Sequence, residues 1–504
     1  MPQQFVDLVR GPRLAQSGCV PGAGLRDAPS SSLRQVAPPW HGDAESQAVD
    51  LDLLRRYDRP GPRYTSYPTA VEFHEGVDAG RYATHLAAAA AKPDAPLSLY
   101  VHLPFCESRC AFCGCSVVVT RKRQVAEQYL EYLFREIGMV AEALGRRRQV
   151  VQYHWGGGTP SYLSPDQMRA LHQEVGRHFA IDPAGELALE VDPRVTSSEQ
   201  IETLSALGFN RLSLGVQDFD PDVQQAIHRI QGVEATRALV AHARALGFAS
   251  INVDLIYGLP RQDVDSFGRT VETVIDMRPD RVAAYSFAHV PWIRAHQKLL
   301  NVEELPSADR KLQLFVAARA RFLAAGYRPI GMDHFALPDD DLARAAEAGT
   351  LHRNFMGYTT RPAPDMVGFG VSAIGDVAGA FVQNTRKLSA YYQAIDAGRL
   401  PVQRGYVLDE DDVVRRHVVT QLICNLQLDT RATARRFAIE FDTYFAIERR
   451  ELTEGPIAHG FLRDEGGVLR VTPTGRLFVR NICMIFDRHL REKRGDAPVF
   501  SRTV

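Results

Sequence analysis

Four cysteines lie close together in one short stretch, where their thiolates could ligate a single metal centre. They are Cys106, Cys110, Cys113 and Cys115, and an alternating apolar stretch over 97–103 precedes them. A disulfide framework is the poorer interpretation, because no secretory signal accompanies these cysteines. Structural zinc usually takes two pairs of ligands from separate parts of a chain, whereas three or four sulfurs on one loop suit an iron–sulfur cluster. The spacing therefore favours an iron–sulfur centre, with zinc as the alternative.

The composition describes a protein with a sizeable apolar core and almost no net charge. Of its 504 residues 45% are hydrophobic, and 59 Lys and Arg nearly balance 60 Asp and Glu. This balance gives no indication of nucleic acid or an anionic membrane as a partner. The sequence has neither the run of ~18 apolar residues that a membrane-spanning helix needs nor a signal-peptide apolar region. With an odd count of seven cysteines, we expect a cytoplasmic monomer that binds neither nucleic acid nor membranes.

The middle of the chain alternates between short apolar strands and amphipathic helices. Strand patterns are found at 97–103, 150–155, 187–191, 211–217, 251–257 and 281–287. Helical patterns are found at 121–145, 164–179, 197–207, 233–247, 264–277 and 308–325. Gly208, Gly247 and Gly326 suit C′ caps of three of these helices. Six β–α units in series predict an α/β fold with a parallel sheet and right-handed crossovers.

Polar and glycine residues follow the ends of these strands. The triple glycine over 156–158 and Thr159 follow the second strand, Glu190 and Gln217 stand at the ends of the next two, and Asp254 lies late in the fifth. Carboxyl ends of parallel strands meet at one edge, where ligands bind. A triple glycine alone is often only a tight turn, but here it would let a ligand approach the backbone. Carboxylates in apolar strands are costly to bury unpaired, so Glu190 and Asp254 need partners.

The segment over 55–73 combines four arginines with three tyrosines between prolines. On sequence alone we favour a strap whose tyrosines pack on the protein and whose arginines are solvated. The alternative is a lid, in which guanidinium groups bind carboxylates and tyrosines cover a flat ligand.

Later in the chain, LHRNF over 351–355 is typical of a helix end with cations near the negative end of the dipole. The glycine-rich stretch over 366–375 predicts a strand and a turn.

Composition and pattern divide the chain into four parts. Residues 1–49 lack apolar periodicity, so we expect a disordered extension. We assign 50–96 to an N-terminal segment, 97–400 to the main α/β domain and 401–504 to a helical domain. Short elements over 461–482 predict a hairpin and a closing helix of winged-helix shape. Four residues are interpreted as structural or incidental: His102 and the remaining cysteines Cys19, Cys424 and Cys483.

Several motifs together resemble a known group of enzymes. The C-x-x-x-C-x-x-C spacing, with Phe112 before the third cysteine, is similar to that of radical S-adenosylmethionine (SAM) enzymes. Over about 50–504 the chain resembles the family of oxygen-independent coproporphyrinogen III oxidases, or coproporphyrinogen dehydrogenases. The motifs are GPRYTSYPTA, YVHLPFC, CAFCGC, HWGGGTPS, LGVQDF, DLIYGLP, GMDHFA, LHRNFMGYTT and GVSAIG. The related haem-chaperone branch generally lacks GPRYTSYP and the Cys115 position, and Ser116 stands where family members often carry Asn.

The resemblance implies a partial (β/α)6 radical SAM barrel with a mainly helical C-terminal domain, a 4Fe-4S cluster and two SAM molecules. It implies that 97–400 is the radical SAM catalytic domain and that 50–96 covers the substrate. Cys106, Cys110 and Cys113 would ligate the cluster, and Cys115 would not. The residues that match positions around the cluster-bound SAM are Tyr100, Gly157, Glu190 and Ile374. The residues that match positions around the second SAM are Phe112, Gly158, Thr159, Gln217, Arg229, Asp254 and Ala288. The resemblance assigns no catalytic side chain, because SAM carries the radical.

The implied reaction is the oxidative decarboxylation of coproporphyrinogen III to protoporphyrinogen IX in haem biosynthesis. A 5′-deoxyadenosyl radical takes hydrogen from the β-carbon of a propionate, carbon dioxide leaves, an acceptor removes one electron, and a vinyl group remains. A second propionate then reacts in the same way. The sequence identifies neither the electron donor nor the acceptor, and we expect Arg63 and Tyr64 to bind substrate carboxylates. The alternatives are a haem-trafficking relative and a zinc-binding interaction module.

Overall fold

The structure is a computed structural model that describes residues 51–493 and 500. The predicted disordered extension over 1–49, with Cys19, lies outside the described residues. The strands are β1 (Leu97–Leu103), β2 (Phe105–Cys106), β3 (Val118–Val119), β4 (Gln149–Gly157), β5 (Ala180–Val191), β6 (Arg211–Gln217), β7 (Ser250–Tyr257), β8 (Arg281–Ser286), β9 (Arg328–Ile330), β10 (His334–Ala336), β11 (His352–Asn354), β12 (Gly357–Thr359), β13 (Asp365–Phe369), β14 (Ile374–Val377), β15 (Ala380–Asn384), β16 (Val402–Val407), β17 (Gln427–Asp429), β18 (Leu462–Asp464) and β19 (Val468–Val471).

Helices alternate with the first strands and dominate the C-terminal part. They are α1 (Leu51–Tyr57), α2 (Ala79–Ala90), α3 (Gln124–Leu144), α4 (Pro165–His178), α5 (Ser198–Ala206), α6 (Pro221–Ala226), α7 (Val233–Ala245), α8 (Val264–Met277), α9 (Ala308–Ala324), α10 (Asp341–Glu347), α11 (Leu388–Asp396), α12 (Glu410–Asn425), α13 (Thr430–Phe437), α14 (Phe441–Tyr444), α15 (Ala446–Leu452), α16 (Val479–Ile485) and α17 (Arg488–Glu492). Within residues 51–493, no helix is both long and apolar enough to cross a membrane.

One open sheet of twelve strands organises the described part of the chain, in the order β16-β15-β14-β13-β1-β4-β5-β6-β7-β8-β10-β9. The strands from β13 through β8 run parallel, and antiparallel strands extend both edges. The predicted parallel sheet of six β–α units is therefore confirmed, together with the helical C-terminal domain. The strand predicted within 366–375 is present as β13, and the structure shows that it joins the sheet as a further parallel strand, with Val367 beside Leu99 of β1.

Local sequence signals account for the helix ends. Ser164 and Gln167 form a reciprocal capping box at the start of α4, which satisfies backbone N–H groups that have no partner within the helix. Gly208, Gly247 and Gly326 follow helices with φ of +87°, +84° and +87°. These are the predicted C′ caps, since a residue with a Cβ enters this left-handed region at a cost.

Residues 351–355 are not the helix end that their composition suggests. His352–Asn354 forms β11, which pairs with β12 in a hairpin. Leu351 N donates to Asn425 Oδ1 at 3.0 Å, and the Arg353 guanidinium stacks 4.7 Å from the Tyr358 ring centre. These residues therefore do not lie at a helix end, because α10 ends at Glu347, and Arg353 stacks across the hairpin instead.

The segment over 55–73 packs on the C-terminal part of the chain through its tyrosines, as the strap interpretation predicts. The Tyr57 hydroxyl lies 2.6 Å from His459 Nδ1. Tyr64 donates to Asp487 at 2.8 Å, and the Tyr67 hydroxyl accepts from the backbone N–H that follows Asp487. The predicted hairpin near residue 466 is present as β18 and β19, and the two cysteines interpreted as structural in this region are buried.

A fully buried arginine joins three elements beneath the sheet. Arg147 donates to the carbonyl oxygens of Ala89, Ala95 and Pro96 at 2.8–3.2 Å and to Asp365 Oδ2 at 2.5 Å. Its side chain is 0% exposed. The contacts connect the end of α2, the start of β1 and the start of β13. Because charges buried at such a place need partners, the pair is strongly coupled.

We predict that Arg147→Met lowers the free energy of unfolding by about 3–5 kcal/mol, because it leaves Asp365 buried without its cation. Denaturant unfolding followed by circular dichroism measures this change. The control is Arg177→Met in the exposed pair with Glu174, which should cost less than about 1 kcal/mol. Equal costs for the two variants would show that Arg147 contributes no more than a surface ion pair.

Candidate active site

The cysteine loop lies just beyond the carboxyl end of β1. The short parallel pair of β2 and β3 closes its base, and Ala111 N donates to Ile227 O at 2.9 Å, which attaches its middle to the end of α6. All four cysteines of the loop line one cavity of about 410 Å³. The four thiols thus face one space at the edge of the sheet where strand-end residues meet.

The glycine stretch after β4 holds this loop by close backbone contact. Gly158 N donates to Leu103 O, and Thr159 N donates to Phe105 O, both at 2.8 Å. A Cβ on Gly158 would lie 2.7 Å from the carbonyl carbon and oxygen of Pro104, closer than packed atoms allow. The sequence suggests that the missing Cβ atoms let a ligand approach the backbone. The structure shows that Gly158 is also needed for the close contact with the backbone at Pro104.

Gly157 makes room for His102 in the same way. Its φ is +115°, and a Cβ there would lie 2.5 Å from the imidazole ring. His102 Nε2 donates to Ser116 O at 3.0 Å, and Nδ1 accepts from the Tyr100 hydroxyl at 3.0 Å. Burial lowers the pKa of His102, which agrees with a neutral ring. The interpretation of His102 as a buried, hydrogen-bonded histidine is confirmed.

Two arginines cover the second cysteine of the motif. A guanidinium nitrogen of Arg194 and one of Arg229 each lie 3.6 Å from Cys110 Sγ. Both arginines pair with Asp192, at 2.6 and 3.1 Å. Burial alone would raise the pKa of Asp192, but the two cations hold it below its ordinary value. Donors of this kind stabilise a negatively charged sulfur ligand.

The other two cysteines of the motif have contrasting surroundings. Burial raises the pKa of Cys106 to about 11, although the Thr159 hydroxyl lies 3.4 Å from its sulfur. Hydrogen bonds from Cys115, helped by the positive charge of Arg294, lower the pKa of Cys113 to about 6. Cys113 is therefore the thiol of this pair that ionises more readily in the protein without a metal.

The donor set fits an iron–sulfur cluster. Among residues 51–493, no three His, Cys, Asp or Glu side chains converge closely enough to hold one metal ion, whereas a four-iron cluster takes its sulfurs at separate irons. Cys106, Cys110 and Cys113 share a cavity that is large compared with a single ion. The arginines around Cys110 supply the hydrogen bonds that tune such clusters. The cysteines of the motif can therefore hold a 4Fe-4S cluster.

The carboxylate of Glu190 has partners within the protein. It accepts from Gly157 N at 3.1 Å and lies 3.7 Å from His154 Nε2. Desolvation would raise its pKa, but His154 and the Gly157 N–H lower it below the ordinary value. Its side chain remains 45% exposed. Glu190 therefore presents a negative charge and free acceptor positions to a ligand.

Asp254 has the opposite electrostatic character. It accepts from the Ser213 hydroxyl at 3.2 Å and from Asn252 Nδ2 at 2.8 Å. Burial, and then the nearby charge of Glu190, raise the pKa of Asp254 to about 7. Two carboxylates in one cavity thus differ in charge near neutral pH, a difference that is typical of functional sites.

The two sets of residues that were matched to SAM positions line two adjoining cavities. Tyr100 and Ile374, from the first set, line a cavity of about 260 Å³. The members of the second set that line the 410 Å³ cavity are Phe112, Gly158, Thr159, Gln217, Arg229 and Asp254. Gly157 and Glu190, from the first set, line both cavities. Ala288 is outside both linings, and its carbonyl oxygen accepts from Gln297 Nε2 at 3.1 Å.

The two residues expected to bind substrate carboxylates are held by the protein itself. Arg63 forms an ion pair with Asp333 and stands 5.1 Å from the ring centre of Tyr285. The strap interpretation expects a solvated guanidinium, but the Arg63 side chain is only 30% exposed and is paired with a buried carboxylate. Tyr285 lines the 410 Å³ cavity, which brings Arg63 near the site. Tyr64 is buried and donates to Asp487.

Three residues that shape the site belong to no motif in the sequence. Arg194 follows Asp192 by two positions and also covers Cys110. Gln297 donates to Phe112 O at 3.0 Å, and His296 Nε2 donates to Cys113 O at 2.7 Å, so the segment after β8 fastens the outer side of the cysteine loop. No local pattern marks these residues, because their partners are more than 80 residues distant.

Comparison with known proteins places this fold and site. The Radical SAM superfamily model matches residues 100–274, and the HemN C-terminal domain model matches residues 408–478. Cysteines that fit a 4Fe-4S cluster, at the carboxyl edge of a parallel sheet, thus define a radical SAM protein. A Pseudomonas aeruginosa protein named oxygen-independent coproporphyrinogen III oxidase is 47% identical over 444 residues, which cover 88% of this chain and 96% of the relative.

Two further comparisons agree. An Escherichia coli (strain K12) protein of the same name is 46% identical over 457 residues, covering 90% of this chain and 98% of the relative. The solved structure of E. coli coproporphyrinogen III oxidase (HemN), described as a radical SAM enzyme, is similar with a TM-score of 0.83 at 43% identity, covering 88% of this chain and 99% of that chain. The chain belongs to the oxygen-independent coproporphyrinogen III oxidase family.

We predict that Gly158→Ala destabilises the protein by about 1–3 kcal/mol, because the new methyl group overlaps the backbone at Pro104. The iron content after anaerobic reconstitution should fall as well, since the displaced loop carries the cysteines. Thermal unfolding and iron analysis measure the two effects. Gly114→Ala is the control within the same loop, because nothing lies within 4 Å of its Cβ position. If the two variants behave alike, close backbone contact does not hold the loop.

We predict that the cofactor-free protein loses about 2 kcal/mol of stability between pH 5 and pH 7 through Asp254 alone. The pKa of Asp254 is raised to about 7 from 3.8, so its stabilising effect is full below pH 3.8 and is lost as pH rises through 7. Asp254→Asn can still accept from Asn252 Nδ2 and can donate to the Ser213 hydroxyl oxygen instead of accepting from it, and it should remove this slope. Chemical unfolding at several pH values tests it, and an unchanged slope in the variant would contradict the assignment.

Proposed function

We propose that this chain catalyses the oxidative decarboxylation of two propionates of coproporphyrinogen III, giving protoporphyrinogen IX. Membership of the oxidase family, at 47% identity over nearly the whole length of a relative, carries the proposal. The clustering of the matched residues around two adjoining cavities supports it. Removal of hydrogen from an unactivated carbon requires a radical, because no side-chain base is strong enough.

We propose that Cys106, Cys110 and Cys113 ligate the 4Fe-4S cluster that the superfamily uses, and that two SAM molecules bind. When bound, the cluster and SAM supply the 5′-deoxyadenosyl radical that removes hydrogen from the propionate. The first SAM would take the 260 Å³ cavity. The second would lie in the 410 Å³ cavity, which the cysteines of the cluster also line. The different sets of matched residues around the two cavities support this arrangement. An external one-electron donor and acceptor complete the reaction.

The side chains of the chain would position and shield the reactants. Glu190, with its free acceptor positions, is placed to receive hydrogen bonds from a SAM ribose or ammonium group. Arg229 shares the carboxylate of Asp192 with Arg194, which orients its guanidinium to donate hydrogen bonds and offsets part of its charge. We propose that Arg63, held over Tyr285, binds a substrate carboxylate, and that Tyr64 fixes the position of Arg63 along the segment. These roles are positioning roles, which lower the cost of ordering the reactants.

The test is an anaerobic assay with coproporphyrinogen III, SAM and a chemical reductant, in which protoporphyrinogen IX is measured. The variant with alanine at Cys106, Cys110 and Cys113 should lose both bound iron and product formation. Cys424→Ala is the matched control, because Cys424 is buried far along the chain in α12. Product from the triple variant, or stoichiometric haem binding without product from the unaltered protein, would contradict the proposal. Zinc in place of iron would support an interaction module instead.

The same assay examines the N-terminal segment. Arg63→Ala should raise the KM for coproporphyrinogen III about tenfold or more, the loss typical of a charge-assisted hydrogen bond. Arg55→Ala is the control, since Arg55 belongs to the same segment and pairs with Asp309 at 2.7 Å. An unchanged KM and turnover in Arg63→Ala would leave the segment as a strap only.

A further inference from the structure

Three arginines gather at the mouth of the 260 Å³ cavity. Arg294 and Arg386 line it together with Gln383. Arg404 Nε donates to Gln383 Oε1 at 2.7 Å, which brings the third guanidinium to the same place. The three arise from distant parts of the chain: the segment after β8, the segment after β15, and β16. Their meeting is a property of the fold, since no sequence motif places them together.

None of the three arginines forms an ion pair among the described residues, although Arg294 also faces the Cys113 thiol and Glu190 lines the same cavity. Ion pairs are common for arginines elsewhere in this protein, but within residues 51–493 none of the three pairs with an Asp or Glu. Desolvation, followed by repulsion from Arg404 and Arg294, lowers the pKa of Arg386. Desolvation also lowers the pKa of Arg404. Uncompensated cations that are drawn together and partly desolvated are costly unless an anion joins them.

Apolar surface adjoins the three arginines. Trp292 and Ile293, which directly precede Arg294, are 62% and 51% exposed. Phe355 lines the same cavity, and the Arg404 guanidinium stands 5.8 Å from the ring centre of Phe73. Exposed apolar side chains beside cations suit a ligand that has an apolar body and anionic groups at its edge. Planar guanidinium groups bind carboxylates by paired hydrogen bonds.

We propose that Arg294, Arg386 and Arg404 form a carboxylate clamp that holds propionates of a tetrapyrrole while another propionate is presented to the cavity. The inference rests on the proposed function and deepens it by naming substrate-binding residues. Ile374 and Tyr100, which match positions around the first SAM, line the same cavity as the clamp. A macrocycle held by its edge at the clamp would therefore direct a neighbouring propionate toward the position proposed for the first SAM.

The clamp is tested by anaerobic binding of coproporphyrin III, the fluorescent oxidised form of the substrate, to the reconstituted holoenzyme. Arg386 makes no side-chain hydrogen bond or ion pair within the described residues, so Arg386→Gln leaves the contacts of the protein intact. We expect Arg386→Gln to raise the Kd of coproporphyrin III about tenfold. Arg386→Lys should recover part of the affinity, and Arg386→Gln with Arg404→Gln should weaken binding further.

Lys387→Gln is the matched control. It removes one positive charge at the next residue, which is exposed and lines neither cavity. Its Kd for coproporphyrin III should stay within twofold of the unaltered protein. The Kd for SAM should be unchanged in all variants. An equal effect of Lys387→Gln would show diffuse charge attraction, and a loss of SAM binding would assign the arginines to the SAM carboxylate, so either result overturns the clamp.

Product formation separates this inference from the proposed function. If the unaltered protein forms protoporphyrinogen IX while Arg386→Gln binds coproporphyrin III normally, the clamp is wrong and the function stands. If the unaltered protein binds coproporphyrin III in an Arg386-dependent manner but forms no product, the clamp stands and the proposed reaction is wrong. If the unaltered protein neither binds the porphyrin nor forms product, both proposals are overturned.

Discussion

The site depends on two backbone hydrogen bonds that join the loop after β4 to the cysteine loop. Gly158 N donates to Leu103 O and Thr159 N donates to Phe105 O. This approach is possible only because residue 158 has no side chain, since a Cβ would overlap the backbone at Pro104. The position of the cysteines relative to the sheet, and the reach of the Thr159 hydroxyl to the first cysteine, follow from that contact.

Most of the fold follows from local signals in the sequence. Strand and helix alternation and the glycine C′ caps each depend on residues a few positions apart, and the structure has them where the pattern predicts. Two features depend on distant partners. The strand β13 joins the sheet beside β1 through residues such as Val367 and Leu99, more than 250 positions apart. The hairpin at 351–359 is likewise held by Asn425, which a local pattern does not reveal.

The site, like the fold, has residues whose positions the sequence predicts and residues whose positions depend on distant segments. Because parallel strands end at one edge, the order of β–α units was enough to bring Glu190, Asp254 and the cysteines to neighbouring cavities. Arginines are different, since a long cationic side chain in a sequence is most simply interpreted as solvated. Arg194 and Arg386 acquire their surroundings from other segments: Arg194 meets the cysteine loop, and Arg386 meets residues after β8 and in β16. Sequence spacing carries no signal for either.

The distribution of charge explains how the site could hold both the negatively charged sulfur ligands of a cluster and the carboxylates of a substrate. On the inner side, Asp192 pairs with both arginines that cover Cys110 and offsets one of their two positive charges, so these donors can stabilise sulfur while attracting a substrate carboxylate less strongly. On the outer side, the arginines at the cavity mouth lack such a carboxylate within residues 51–493. An anionic tetrapyrrole would therefore gain more at the mouth than in the interior. Under the proposed function, this difference would orient the ligand, because its charged edge would be retained outside while an uncharged carbon approaches the reacting centre.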